Sequence, residues 1–286
     1  MKKIQFFQVM MFAAAIVLAA CSNPTEEMTA GAAPQPAEVT LSFLPYDMKA
    51  MTRAATSIST VVTRLDVWIY EGGTDVVAVH QSKDDADFGT VSVTLDKTKT
   101  YTLYAIGHRA TGQATLANGV IAFPDEKVTH AMYYTAEFSP ADATSLPCLM
   151  ERIVGKFTLT TTDAVPDEVA KMTFAISSSP TRWNVDGYGV SPQERTTSFS
   201  NISRNQQDGT ASFSVFAIAD GEDPVAHTIT VTAYDASDQP LQSRTFADVP
   251  IRNGYVTTYQ GTFFIDSPMT ASFTVADWQE YDAVTF

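Results

Sequence analysis

Apolar and polar residues alternate with a period of two along most of the chain, the pattern of half-buried β-strands rather than helices. In 39–44, Val39, Leu41 and Phe43 share one face, and Thr40, Ser42 and Leu44 the other. This run breaks at Pro45 and leads to a lone Arg53, followed by Ala54, Ala55 and Thr56. In 61–70, Leu65, Val67 and Ile69 form one stripe. Residues 71–74, Glu-Gly-Gly-Thr, then read as a turn and 76–80 as the return strand. Further strands are expected at 91–96, 101–106 and 133–138, with Gly107, Gly112 and Gly119 punctuating the stretch between the last two. The second half repeats the texture at 156–161, 171–176, 211–217, 227–234, 241–246, 255–265, 271–275 and 283–286.

β-branched and aromatic residues fill these runs, and long stripes of period 3.6 are missing, although 163–170 could form one helical turn. Short strands separated by turn signals predict an all-β chain built from sandwiches. Around 139–147 the composition shifts to Pro, Ala, Ser and Asp, which marks a domain boundary and predicts sandwiches over 38–148 and 149–286. No repeat by residue identity relates the two halves.

The N-terminus follows a different pattern. Lys2 and Lys3 precede an apolar run over 6–20 that contains Gln8 and is short for a membrane span, so 1–20 reads as a secretory signal. It ends Leu18-Ala19-Ala20-Cys21, which resembles the bacterial lipobox. That resemblance implies cleavage before Cys21 and a lipid on its thiol. Residues 21–37 offer little that could form a core and read as a tether. Ser22 after the cysteine fits outer-membrane retention. Glu26 and Glu27 fit either an acidic surface-export signal or plain solvation.

Charge and cysteine content narrow the function. The 286 residues carry a net charge of −14, and removal of a leader holding Lys2 and Lys3 leaves −16. Nucleic-acid binding needs a basic footprint that such a chain lacks. With Cys21 lipidated, Cys148 has no partner, so stability must come from burial rather than a disulfide. Cys148 itself reads as a small buried apolar residue. His80, His108, His130 and His227 show no paired zinc spacing. The run Lys83-Asp84-Asp85-Ala86-Asp87 could offer oxygens to calcium but lacks an EF-hand's glycine and terminal glutamate, so a solvated turn is the better reading. No phosphate loop, nucleophile elbow or zinc-protease motif occurs. No catalytic residue, metal or cofactor is therefore nominated. Residues 182–189, Arg-Trp-Asn-Val-Asp-Gly-Tyr-Gly, have the composition of some sugar-binding loops, but a β-connection that packs one Trp is the better reading.

Together the lipobox, the tether, a first strand ending before Thr52-Arg53-Ala54 and two β-rich halves resemble the fimbrillins, or type V pilins, and their anchor and tip relatives. The similarity is strongest in 65–70 (LDVWIY), 101–108 (YTLYAIGH), 152–157 (RIVGKF), 249–255 (VPIRNGY) with 261–264 (GTFF), and Asp277-Trp278. It implies two transthyretin-like β-sandwich domains in tandem and a non-enzymatic role in adhesion. It further implies an arginine-specific protease cutting between Arg53 and Ala54, and loss of the strand bearing Val39, Leu41 and Phe43. A strand from another pilus subunit would then refill the groove. Arg64 lies inside an expected strand and should be protected. The donor strand would be 269–286, through Phe273, Val275, Val284 and Phe286, unless those residues close the chain's own second sandwich, as in an anchor or tip subunit. A rival is a lipid-anchored surface protein that binds a host or bacterial glycan.

Overall fold

The computed structural model describes residues 33–46, 57–200, 202, 211–219, 223–265 and 272–278. Among them every regular element is a strand apart from two single 3-10 turns, Ile58–Thr60 and Pro124–Glu126. The described residues from Pro34 onward pack as one compact unit.

In chain order the strands are β1 (Pro36–Pro45), β2 (Arg64–Glu71), β3 (Thr74–Ser82), β4 (Thr90–Asp96), β5 (Tyr101–His108), β6 (Thr115–Ala117) and β7 (Val120–Ala122). These are followed by β8 (Ala131–Phe138), β9 (Ser145–Arg152), β10 (Val154–Thr161), β11 (Lys171–Asn184) and β12 (Tyr188–Phe199). The series ends with β13 (Ala211–Ile218), β14 (Val225–Tyr234), β15 (Pro240–Ile251), β16 (Tyr255–Gly261) and β17 (Ser272–Asp277).

The first sheet path runs β3-β2-β5-β8-β9-β1-β4. Its two parts face one another across a core of Val39, Leu41, Phe43, Leu65, Val67, Ile69, Leu103, Met132, Cys148 and Met150, as in a sandwich. β9 links the parts: Ser145 to Met150 pair with β1, and Glu151 and Arg152 pair with β8. The boundary expected between 148 and 149 therefore falls inside a strand. The second half has a sheet β13-β10-β16-β17 facing a sheet β15-β14-β11-β7-β6, with β12 also on β11. Its core gathers Phe157, Leu159, Phe174, Ile176, Val231 and Phe263. The hairpin β6–β7 comes from the first half but pairs with β11 of the second, Ile121 opposite Trp183.

A third cluster forms where the halves meet, with Trp68, Ile106, Ile121, Tyr133, Trp183, Phe216, Ile218 and Trp278. It explains why β2 departs from simple alternation. Leu65, Val67 and Ile69 face the first core as expected, while Asp66 and Trp68 are buried against the other face. A strand covered on both sides loses its polar stripe.

Two sequence expectations are corrected. Residues 163–170 contain one tight turn at 166–169, with the Val169 N–H on the Pro166 carbonyl, and are otherwise irregular rather than helical. Pro166 removes one helical donor, and the Asp163 carboxylate is committed to distant backbone. Residues 182–189 are not a loop throughout. Arg182 and Trp183 end β11, which turns through 185–187 into β12. Gly187 adopts φ +99° there, a conformation open to glycine. The strand expected at 283–286 lies outside the described residues.

Candidate assembly site: the first and last strands

β1 is bonded along both edges. It runs antiparallel to β4 from Pro36 opposite Asp96 to Ser42 opposite Thr90, and parallel to β9 from Thr40 opposite Ser145 to Pro45 opposite Met150. The Phe43 N–H reaches the Gly89 carbonyl at 2.8 Å, and the Tyr46 N–H the Met150 carbonyl at 2.8 Å. Gly89 sits at φ +89°, and a Cβ there would lie 2.7 Å from the Ile58 side chain, so this close approach depends on glycine. At the start of the strand the Gln35 N–H bonds the Asp96 carboxylate. The N–H groups of Thr98 and Gln35 hold the Asp96 carboxyl below its ordinary range.

The side chains follow the expected alternation. Val39 and Leu41 are fully buried and Phe43 is 2% exposed, whereas Thr40, Ser42 and Leu44 are only partly covered. Burying three such side chains contributes roughly 5–8 kcal/mol, at about 1.5–3 kcal/mol each. Cys148 lies opposite Phe43, and burial pushes its thiol up to about 12, so it is inert while the strand is in place.

Among the described strands β17 lies at a sheet edge. It runs antiparallel to β16 from Tyr255 opposite Asp277 to Gln260 opposite Ser272, which places Phe273 opposite Tyr259 and Val275 opposite Thr257. Trp278 follows directly and is 7% exposed. Its ring stacks on His130 at 4.4 Å and on Phe216 at 5.6 Å, and Arg152 lies 4.7 Å from its centroid. Arg152 donates from Nε to His130 Nε2 at 3.0 Å and from Nη1 to the Trp278 carbonyl at 3.3 Å. Burial, then the cations Arg152, Arg109 and Lys156, hold the His130 pKa well below its ordinary value. Just before β17, the Asp163 carboxylate accepts the N–H groups of Phe263, Phe264 and Ile265 at 2.6–2.9 Å.

The other candidates have structural partners. His80 Nδ1 lies 2.6 Å and His108 Nε2 2.9 Å from the carboxylate of buried Asp66, which also accepts the Ala114 N–H at 2.9 Å. The Ala110 N–H donates to His108 Nδ1, which leaves Nε2 to carry the proton toward Asp66. This node fastens 110–114 to the sheet. Its signal was Asp66, a carboxylate inside an apolar run. His227 Nδ1 meets the Ser177 carbonyl, and Asp85 accepts the Ser82 N–H as a turn residue. Trp183 is 4% exposed, and Arg182 donates from Nη2 to Glu126 Oε1 at 2.9 Å. Among the described residues no group of three His, Cys, Asp or Glu could hold a metal. No helix among them is long and apolar enough to cross a membrane. Cys21, Arg53, Ala54, Val284 and Phe286 lie outside the described residues.

Residues 32–284 match the family of fimbrillin-A associated anchor proteins Mfa1 and Mfa2. The chain belongs to this family. The anchor family is structural rather than enzymatic, and it places the chain in fimbrial or adhesive work at the cell surface. Nothing among curated proteins matches this anchor-family chain. Solved structures share its fold. A Bacteroides thetaiotaomicron protein described as a candidate polysaccharide binder superposes with TM-score 0.54 at 11% identity, covering 84% of this chain and 96% of its own. A candidate adhesin of the same species gives TM-score 0.52 at 12% identity, covering 86% and 98%. The fimbrial anchor protein Mfa2 of Porphyromonas gingivalis gives 0.48 at 14% identity, covering 85% and 98%.

Proposed function

We propose that the chain is a fimbrial anchor subunit, exported as a lipoprotein, held in the outer membrane by a lipid on Cys21 and joined to other pilus subunits. Residues 1–20 are then the signal, the segment from Cys21 to the start of β1 at Pro36 is the tether, and the two halves, which meet after β9, are sandwich domains with separate cores. In this reading the protein keeps both terminal strands instead of exchanging them. The observation that carries it is the seating of β1, bonded on both edges with Val39, Leu41 and Phe43 almost completely buried. The capture of Trp278 by His130, Phe216 and Arg152 supports retention of β17. An anchor that gave up β1 would also break its covalent link to the lipid.

A second reading, a polymerising subunit, has one specific observation in its favour. Arg53 lies between β1 and the turn at Ile58, where a cut would sever β1 from the rest of the chain. Loss of β1 would leave β4 without its strand partner among the described residues and open an apolar groove. A donor strand such as 269–286, bearing Phe273, Val275, Val284 and Phe286, could then refill it.

Limited digestion of the folded chain with an arginine-specific protease separates the two. The N-terminus of the product is read, and particle size is followed by light scattering. An anchor stays monomeric and retains β1, with Arg53 either uncut or cut without release of the strand. Release of β1 with Ala54 as the new first residue, followed by growth into oligomers, would overturn the anchor reading.

A further inference from the structure

A cleft of about 380 Å³ opens where the first sheet meets the two hairpin turns that cover it, and nothing above gives it a role. Tyr70, Thr102 and Tyr104 line one side. Tyr70 and Thr102 are direct cross-strand neighbours on β2 and β5, and Tyr104 lies on the same face of β5 as Thr102. The rings of Tyr70 and Tyr104 meet edge to face at 5.8 Å. Leu116, Asn118 and Gly119 of the β6–β7 hairpin, Val185 of the β11–β12 turn and Gly73 complete the lining.

The opposite wall is fixed before any ligand arrives. The Val185 N–H donates to the Gly119 carbonyl at 2.9 Å, and the Val185 carbonyl accepts the Tyr133 hydroxyl at 2.8 Å. A rigid wall spares a ligand the cost of ordering it.

The chemistry of the lining is narrow. It contains no charged side chain, so it offers neither a counter-ion for phosphate or carboxylate nor an acid for an amine. Burial and the nearby Asp75 raise the Tyr70 pKa, so its phenol stays protonated as both donor and acceptor. Among the described residues, the Tyr70 and Tyr104 hydroxyls, the Thr102 hydroxyl and the Asn118 amide make no side-chain hydrogen bond within the protein. A purely apolar ligand would strip water from these groups and replace none of it. The cleft requires a neutral molecule with a carbon face for the tyrosine rings and a rim of hydroxyls for the polar groups. Its volume is at the lower end of the roughly 300–1,000 Å³ typical of small-ligand sites, which suits a short chain unit rather than a long polymer.

We propose that this cleft binds a neutral saccharide, one or two sugar rings at a chain end, with Tyr70 and Tyr104 packing on a ring and Thr102 and Asn118 bonding its hydroxyls. The site is independent of whether β1 is kept or exchanged, since neither β1 nor β17 lines it. It gives a surface protein a means of adhesion separate from its place in a fimbria.

Saturation-transfer NMR on the purified chain tests the proposal with glucose, galactose, mannose, N-acetylglucosamine and lactose, and with N-acetylneuraminic acid as an anionic comparison. At least one neutral sugar should receive saturation on its ring C–H protons. Thr102→Val combined with Asn118→Gly should weaken that binding about tenfold by removing two hydrogen bonds. Asn118 sits at φ +51°, so glycine keeps the turn while deleting the amide. Tyr70→Phe combined with Tyr104→Phe, which preserves ring packing, should weaken it to a similar degree if the first pair lowers the thermal transition. Silence from all five neutral sugars would overturn the proposal. So would binding unchanged in both variants, or a preference for the anionic sugar.

Discussion

β1 and β17 each complete a sheet, but β1 does so from the middle and β17 from an edge. β1 has a bonded neighbour on each side and three side chains sunk in the first core. Among the described residues β17 has β16 on one side, and Trp278 at its end joins the third cluster. The first arrangement spreads stabilisation over many contacts, so no exposed edge or single side chain releases the strand. Among the described residues, the second adds to its pairing with β16 the Trp278 stack on His130 and Phe216 and the cations Arg152 and Lys156 beside that ring. The two halves therefore hold their terminal strands by different physics, and substitutions should separate them.

The largest effect is expected from Phe43→Ala. A buried phenylalanine truncated to alanine costs about 3–5 kcal/mol, and Phe43 is only 2% exposed in a packed core. Chemical denaturation should show that loss in the first sandwich. Cys148, buried opposite Phe43, provides a reporter. In the native chain it should react with a thiol reagent only on global unfolding, and in Phe43→Ala much faster. Unchanged reactivity would mean that β1 is not what shields the thiol.

Trp278→Ala should cost less, roughly 3 kcal/mol, at the low end for tryptophan because the ring caps a cluster at one end of an edge strand. Hydrogen exchange should localise the damage: the amides of β17 should lose protection while those of β1 keep theirs. If both strands lose protection together, the halves unfold as one unit and the contrast between them fails.

Much of this was legible in the sequence, and the parts that were not share a physical cause. The alternation of Val39, Leu41 and Phe43 located β1 and its inward face, because one face of that strand meets a core and the other is partly solvated. β9 was obscured because Ser145, Pro147 and Cys148 have the composition of a linker. Only pairing with β1 makes that stretch a strand, and its contribution to the sheet comes from across the chain. β6 and β7 were obscured because each is three residues long and stable only against β11. Asp66 was passed over inside LDVWIY because alternation alone assigns it to solvent. The third cluster and the two histidines on the Asp66 carboxylate are tertiary facts. The cleft combines residues 70 and 185, and no local pattern signals such a meeting.

Asp163→Asn sharpens the contrast from another side. The carboxylate takes three backbone N–H groups at 263–265, and an amide has one oxygen to offer. Leaving a buried donor unpaired costs about 1–3 kcal/mol, so about 2 kcal/mol is expected. The loss should appear in the second sandwich and leave Cys148 reactivity unchanged.

The smallest effect is a pH dependence confined to the β17 end. Burial first, and then Arg152, Arg109 and Lys156, hold the folded His130 pKa well below its ordinary 6.5. Above that value the ring is neutral in both folded and unfolded chains and contributes no slope. As pH falls below about 6.5 the unfolded chain takes up a proton that the folded chain refuses, so stability must decline with acid. Protonation would place a cation against Arg152 and end the acceptance of its Nε–H. The thermal transition should therefore drift downward from pH 7 to pH 5, alongside the contribution of the carboxylates. His130→Asn should cost some stability at pH 7, because the stack with Trp278 is lost, yet its deficit relative to the native chain should shrink as pH falls. A deficit constant across that range would mean that His130 does not titrate differently in the two states. The histidine would then hold Trp278 by shape alone.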